Sequence, residues 1–394
     1  MIKKLIIIIS LFLLSINVYA KDFNINSSSA IVLADDKILY QKESDKVTKI
    51  ASLTKIMTAV VTIENTDDLN KKVTITKDDV KDILALDLAS ASLKEGDVVS
   101  INDLLYGLML PSGGDAAYAL ARVVGGTKEN FVSMMNKTAE KLALEHTHFT
   151  NPVGFDEQNN FSTARDLSTL FSYALENDTF KKIVTTDTYL ASDNFHTYTS
   201  HIRKNSLVGD YLEGGKTGTT NDAGLCLASF AYDKDVRLMV ITLNAPLDYA
   251  SKPQYADAKT IYSYYINNYD LQKVVKTNEK VLSLSVSNAV KEFMDFHPVK
   301  DKYLYLPNDF NKEDLKYEYS GMKKLDSKIK KGDKIGHLNI LYKGEQIYSE
   351  NVYLEDNIKF SYIVFMKNHI VYVMGLIIFT TLLFIVRKIK KTTK

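Results

Sequence analysis

The chain has 394 residues, 45% hydrophobic and 25% charged, with a formal net charge of +1. Lys3 and Lys4 near the start and Arg387, Lys388, Lys390, Lys391 and Lys394 at the end carry seven positive charges, which leaves −6 for residues 21–386 and gives no sign of a nucleic-acid surface. The single cysteine, Cys226 in the apolar run Leu225-Cys226-Leu227-Ala228, excludes an internal disulfide and reads as a buried, inert thiol.

In chain order, residues 1–20 read as an export signal. Lys3 and Lys4 supply its charged start, Leu5 to Ile16 its apolar run, and Val18-Tyr19-Ala20 a small-residue cleavage site. Ala30-Ile31-Val32-Leu33 and Lys37-Ile38-Leu39-Tyr40 flank Asp35-Asp36 as strand, turn and strand. Ser52 then opens a stretch with Leu53, Ile56, Met57, Val60 and Val61 at helical spacing. The pattern stays mostly helical to about residue 205, over 101–109, 116–124, 129–144 and 163–175.

Strand signals return at 224–231 and 236–244, flanking Asp233-Lys234-Asp235, and a helix is expected from about Tyr255 to Tyr269. Strands, a helical insert, then strands and a helix predict one α+β domain over 21–275, its antiparallel sheet drawn from both ends of the segment. Residues 276–360 shift toward Lys, Asp and Tyr in short alternating runs and read as a small β-rich domain, with a hairpin formed by 338–342 and 347–354. Ile370 to Val386 holds 17 residues without a charge, and the basic cluster follows at once. That predicts a transmembrane helix over 368–387 and a tail, 388–394, retained on the cytoplasmic side.

Two segments carry chemistry. Ser52-Leu53-Thr54-Lys55 puts a hydroxyl and an ammonium on one face of an apolar helix, and amides at the helix start favour negative charge developing at Ser52. Lys55 accepts a proton near pH 7 only if its pKa falls from about 10.4, at a cost of roughly 4 kcal/mol, so the site must be prepared by burial and a neighbouring cation. Lys216-Thr217-Gly218-Thr219-Thr220 offers that cation. Thr217 and Thr219 suit a carboxylate, Gly218 allows close approach of a substrate backbone, and the N–H groups of Ser52 and Thr219 suit an oxyanion. The same spacing at Ser320–Lys323 and Ser327–Lys330 lies in polar surroundings and reads as solvated charge.

With these residues placed, the chain resembles the low-molecular-mass penicillin-binding proteins that act as D-alanyl-D-alanine carboxypeptidases. Ile50-Ala51-Ser52-Leu53-Thr54-Lys55-Ile56-Met57-Thr58-Ala59 follows that family's nucleophile segment. Leu93-Lys94-Glu95-Gly96-Asp97, Asn151-Pro152 and Ser162-Thr163-Ala164-Arg165-Asp166 follow its pattern as well. The resemblance covers about residues 29–270 strongly and extends more loosely to the C-terminal anchor. It implies a penicillin-binding/β-lactamase-like fold, and attack by Ser52 on the bond between two D-alanines of a peptidoglycan stem peptide. It further implies proton removal by Lys55, relay by Ser112, covalent inhibition by β-lactams, no metal or organic cofactor, and a place on the outer face of the bacterial plasma membrane.

Two departures stand out. Leu110-Pro111-Ser112-Gly113-Gly114-Asp115-Ala116-Ala117 has Gly114 where the family places asparagine, and Lys252 and Gln254 stand near an expected arginine. Three rivals remain beside this reading. A class A β-lactamase needs a Glu-x-x-Leu-Asn loop, not found between the two segments. A penicillin-binding wall scaffold would take Gly114 and Gln254 as signs of decay. A metallopeptidase would use His146 and His148, which lack a supporting ligand pattern.

Overall fold

The computed structural model describes residues 21–202, 208, 211–298 and 300–392. The expected export signal, 1–20, lies outside the described residues. The chain forms two compact units, 21–269 and 270–392.

The first unit is built on a five-stranded antiparallel sheet. Its strands are β1 (Ser29–Ala34), β2 (Lys37–Lys42), β3 (Gly214–Thr220), β4 (Gly224–Asp233) and β5 (Val236–Ala245), in the order β2-β1-β5-β4-β3. The N-terminal hairpin thus docks on β5, with Ile31 opposite Ile241, and β3 is left at the far edge. Both tight turns place a non-glycine residue at positive φ, Asp35 at 49° and Lys234 at 55°, as right-twisted two-residue hairpins require.

Between β2 and β3 lies the helical insert. Its central helix α1 (Thr54–Glu64) is buried from Thr54 to Thr62, so it is a core rod rather than a surface amphipath. Around it pack α2 (Ile101–Met109), α3 (Gly114–Gly125), α4 (Lys128–Lys141), α5 (Ala164–Leu175) and α6 (Asp178–Val184). Ser100 caps α2 in a capping box with Asp103, and the hydroxyls of Thr127 and Thr163 cap α4 and α5. A last helix, α7 (Pro253–Asn268), covers the sheet through Tyr262, whose hydroxyl meets Ser229 at 3.1 Å. Phe171 of α5 packs edge-on to Phe230. Successive residues of β4 therefore face different helices, which explains why that strand is buried almost throughout.

The second unit is β-rich, as expected. Strands Lys334–Tyr342 and Glu345–Tyr353 form the expected hairpin, joined by Leu315–Gly321 in a three-stranded sheet. The strand Tyr269–Val275 pairs with Lys302–Pro307 and from Asp270 onward lies in this unit, although the sequence reads it as the end of the first segment. The helix Ile370–Thr392 contains one stretch, Ile370–Ile389, long and apolar enough to cross a bilayer.

Candidate active site

Ser52 does not open α1 itself. It sits in the single 3-10 turn Ala51–Leu53 just before it, entered through Ala51 at φ 47°. The backbone of β3 closes on this turn. A Cβ added at Gly218 of β3 would lie 2.8 Å from the Ile50 carbonyl oxygen and 3.1 Å from the Ser52 nitrogen. The edge strand therefore lies directly against the nucleophile segment, which only glycine permits.

Lys55 lies one turn on, with 2% of its surface exposed. Its Nζ donates to Ser52 Oγ at 2.9 Å and to the Val153 carbonyl at 2.7 Å. Burial pulls its pKa from 10.5 to about 7, and the Asp115 carboxylate offsets part of that pull. Lys216 is equally buried and donates to Ser112 Oγ and to the Thr217 carbonyl, each at 2.9 Å. Its pKa is also driven well down, first by burial and then by the Lys55 charge. Two ammonium groups in one dry pocket repel, so the arrangement favours giving up a proton.

Ser112 is buried at φ 66°, held in the short link between α2 and α3. Thr217 is half-buried and Thr219 exposed, on the opposite pleat of β3 from Lys216 and Gly218. The structure thus brings Ser52, Lys55, Ser112, Lys216 and Gly218 into one linked cluster. Ser320–Lys323 and Ser327–Lys330 lie in the other unit, with the side chains of Ser320, Lys323 and Lys330 exposed, and among the described residues the Lys330 ammonium bonds the Ser327 carbonyl at 3.4 Å. Among the described residues no group of His, Cys, Asp and Glu side chains could hold a metal ion. The His148 ring bonds the Asn159 carbonyl, and the backbone N–H of His146 donates to Asp166.

Sequence reasoning missed two supports. The buried Asp115 carboxylate accepts from Ser90 Oγ at 2.6 Å and from the N–H groups of Ala91, Leu93 and Ala116 at 2.8, 3.2 and 2.9 Å, pinning residues 88–93 to the start of α3. The second is the turn after Asn151, whose Val153 carbonyl meets Lys55. An Asp directly after a serine–glycine–glycine helix entry was the available signal for the first, and Asn-Pro followed by Gly154 for the second.

A model of the D-alanyl-D-alanine carboxypeptidase family matches residues 16–247. The chain belongs to this family. It is a serine-type peptidase family, and a second model, the C-terminal domain of penicillin-binding protein 5, matches residues 269–359. The chain is 26% identical over 346 residues to D-alanyl-D-alanine carboxypeptidase DacF of Bacillus subtilis, covering 86% of this chain and 88% of that one. It is 35% identical over 240 residues to the D-alanyl-D-alanine carboxypeptidase of Streptomyces sp. strain K15, covering 57% and 81%.

Among solved structures, penicillin-binding protein 5 of Haemophilus influenzae shares the fold with a TM-score of 0.70 at 24% identity, over 86% of this chain and 99% of that one. The Streptomyces K15 DD-transpeptidase follows with a TM-score of 0.56 at 31% identity, over 62% and 99%.

Against that family background, Gly114 has a local cause. A Cβ there would stand 3.2 Å from Ile83 Cδ1 and from Cβ and Cδ1 of Leu88, and the Gly114 N–H donates to the Ala89 carbonyl at 2.7 Å. Ile83 and Leu88 thus crowd the Cα of Gly114 and leave little room for a side chain there. Gly114→Asn is therefore expected to slow penicillin acylation rather than restore a family contact, and to cost about 1–3 kcal/mol through overpacking. Adding Leu88→Ala should recover the acylation rate, measured on the single and double variants with thermal unfolding alongside.

Proposed function

We propose that this family member acts on the outer face of the plasma membrane as a D-alanyl-D-alanine carboxypeptidase, trimming the terminal D-alanine from peptidoglycan stem peptides. The observation that carries the reading is the buried Ser52–Lys55 pair, 2.9 Å apart, with Lys55 held at about 7. Neutral Lys55 takes the Ser52 proton while Oγ bonds the scissile carbonyl carbon. The oxyanion is held by the N–H groups of Ser52 and Thr219. As the C–N bond breaks, the leaving amine takes a proton relayed through Ser112 from the lysine pair, and water then hydrolyses the ester. Lys216, Thr217 and Thr219 receive the terminal carboxylate, whose arrival favours the charged form of Lys216, and Gly218 lets the strand lie against the nucleophile turn. A β-lactam acylates the same oxygen.

Sidedness rests on the basic residues that follow the apolar helix. The unit formed by 270–360 is read as a spacer between that helix and the peptidase unit. The test is the intact mass of the full-length chain in detergent with and without penicillin, peptide mapping of the adduct, and D-alanine release from a peptide ending in D-Ala-D-Ala. An adduct on Ser52 with release is the expected result. An adduct without release would favour the penicillin-binding scaffold, and an adduct elsewhere would remove the nucleophile assignment.

A further inference from the structure

We propose that Asn151 is a positioning residue that aims the Lys55 amine at Ser52 by shaping the turn whose Val153 carbonyl binds Lys55. The inference rests on the reading of Ser52 as nucleophile and Lys55 as base.

Asn151 is 1% exposed. Its Oδ1 accepts from three successive N–H groups, Val153 at 3.2 Å, Gly154 at 2.8 Å and Phe155 at 3.1 Å, while its Nδ2 donates to the Phe155 carbonyl at 3.1 Å. One side chain thus folds 152–155 back on itself and leaves two carbonyls facing α1. Pro152 accepts from Thr58 Oγ1 at 2.7 Å, and Val153 accepts from Lys55 Nζ at the same distance. Lys55 and Thr58 are three residues apart and share a helix face, so the turn grips α1 at two adjacent points.

Gly154, at φ 85°, completes the placement. A Cβ on it would fall 1.9 Å from the Ala51 carbonyl oxygen and 2.9 Å from the Ser52 nitrogen. The turn thus lies on the nucleophile backbone, as Gly218 does, and Asp156 ties the loop to β3 through Thr220 Oγ1 at 2.9 Å.

The chemistry follows from the shape of an amine. Neutral lysine has two N–H bonds and one lone pair, and a base works only when that lone pair faces the proton it takes. The Val153 carbonyl captures one N–H in a fixed direction and so sets the rotation about Cε–Nζ, and once the ammonium has lost a proton the position that bonds Ser52 Oγ is free to carry the lone pair. The same turn keeps water off Lys55. The charged groups that face Lys55 from the packed elements are Asp115 of α3, which favours the ammonium, and Lys216 of β3, which is itself pushed down by the Lys55 charge.

The test is the rate of penicillin acylation of the full-length chain in detergent across pH 5–9 for the wild type, Asn151→Ala and Asn151→Asp. Asn151→Ala is expected to lose about ten- to a hundredfold at neutral pH. Its acid limb should move to higher pH, because water reaching Lys55 undoes the burial that lowers its pKa. Asn151→Asp keeps an oxygen for all three N–H groups, so its rate above the limb should return to within a few fold of wild type. Its limb should still rise, because a carboxylate favours the ammonium. An acid limb at the wild-type pH in Asn151→Ala overturns the proposal whatever the rate, since a merely structural residue would lower the amount of active protein without moving the limb. If that variant does not fold, an unmoved limb in Asn151→Asp overturns it equally. A wild type that forms no adduct would overturn both this proposal and the nucleophile assignment beneath it.

Discussion

Lys55→Met is expected to lower acylation by penicillin about a thousandfold, within the range for loss of a general base, while leaving the protein at least as stable as the wild type at pH 6. The two halves of this expectation share one cause. Lys55 is buried, and in the folded chain its pKa stands at about 7 against an ordinary 10.5. Between those values the unfolded chain binds more protons than the folded one, so stability rises with pH through that window. Below about 7 both states are protonated and the folded state bears the full cost of a buried ammonium, about 5 kcal/mol for a lowering of this size.

Methionine removes that cost. It leaves the Val153 carbonyl without its donor, a loss of about 1–3 kcal/mol. The variant should therefore melt at or above the wild-type temperature at pH 6, and the advantage should shrink or reverse by pH 9. Thermal unfolding at the two pH values, beside an acylation assay, reads both halves. A variant less stable than wild type by a constant margin at both pH values would show that Lys55 is not depressed in the folded chain.

Gly154→Ala is the second large effect, and it should damage fold and site together. The residue needs φ 85°, and its added methyl would fall 1.9 Å from the Ala51 carbonyl oxygen, a backbone atom that cannot swing aside. Positive φ alone costs an alanine about 1–2 kcal/mol, and displacing the nucleophile turn adds to it, for an expected total of about 3–5 kcal/mol. Gly126 supplies the control. It has φ 74° with nothing within 4 Å of an added Cβ, so Gly126→Ala should cost only the conformational part and acylate at the wild-type rate. Denaturant midpoints and acylation rates of the two variants test this. Similar losses in both would mean that the contact between Gly154 and the nucleophile turn carries little.

The residues proposed to carry the chemistry were easier to read from the sequence than the residues that hold them. Ser52, Lys55 and Lys216 announce themselves because two lysines and a serine in apolar segments make no sense as ordinary packing. The structure then bonds Lys55 to Ser52 and Lys216 to Ser112. The hairpins around Asp35 and Lys234 were equally legible, since turn chemistry is local. What stayed hidden depends on partners far along the chain.

Asp115 looks like any acidic residue in a first helical turn until residues 90–93 fold onto it. Asn151 looks like a loop residue until its turn meets α1. The short strands Lys72–Thr74 and Val98–Ser100 pair across the helical insert, and three residues are too few for a period to show. The 3-10 turn at Ser52 was likewise invisible, because glycines at 154 and 218 impose it from outside.

The sheet order has a consequence for when chemistry becomes possible. β1, which precedes the nucleophile, finds its inner neighbour only in β5, and Lys216 arrives on the strand at the opposite edge. A chain made only as far as the helical insert therefore owns Ser52 and Lys55 but neither the second lysine nor the strand that seats the turn. Such pairings between distant segments close late and slowly. The placement of the serine is thus a property of the closed sheet and not of the nucleophile segment alone.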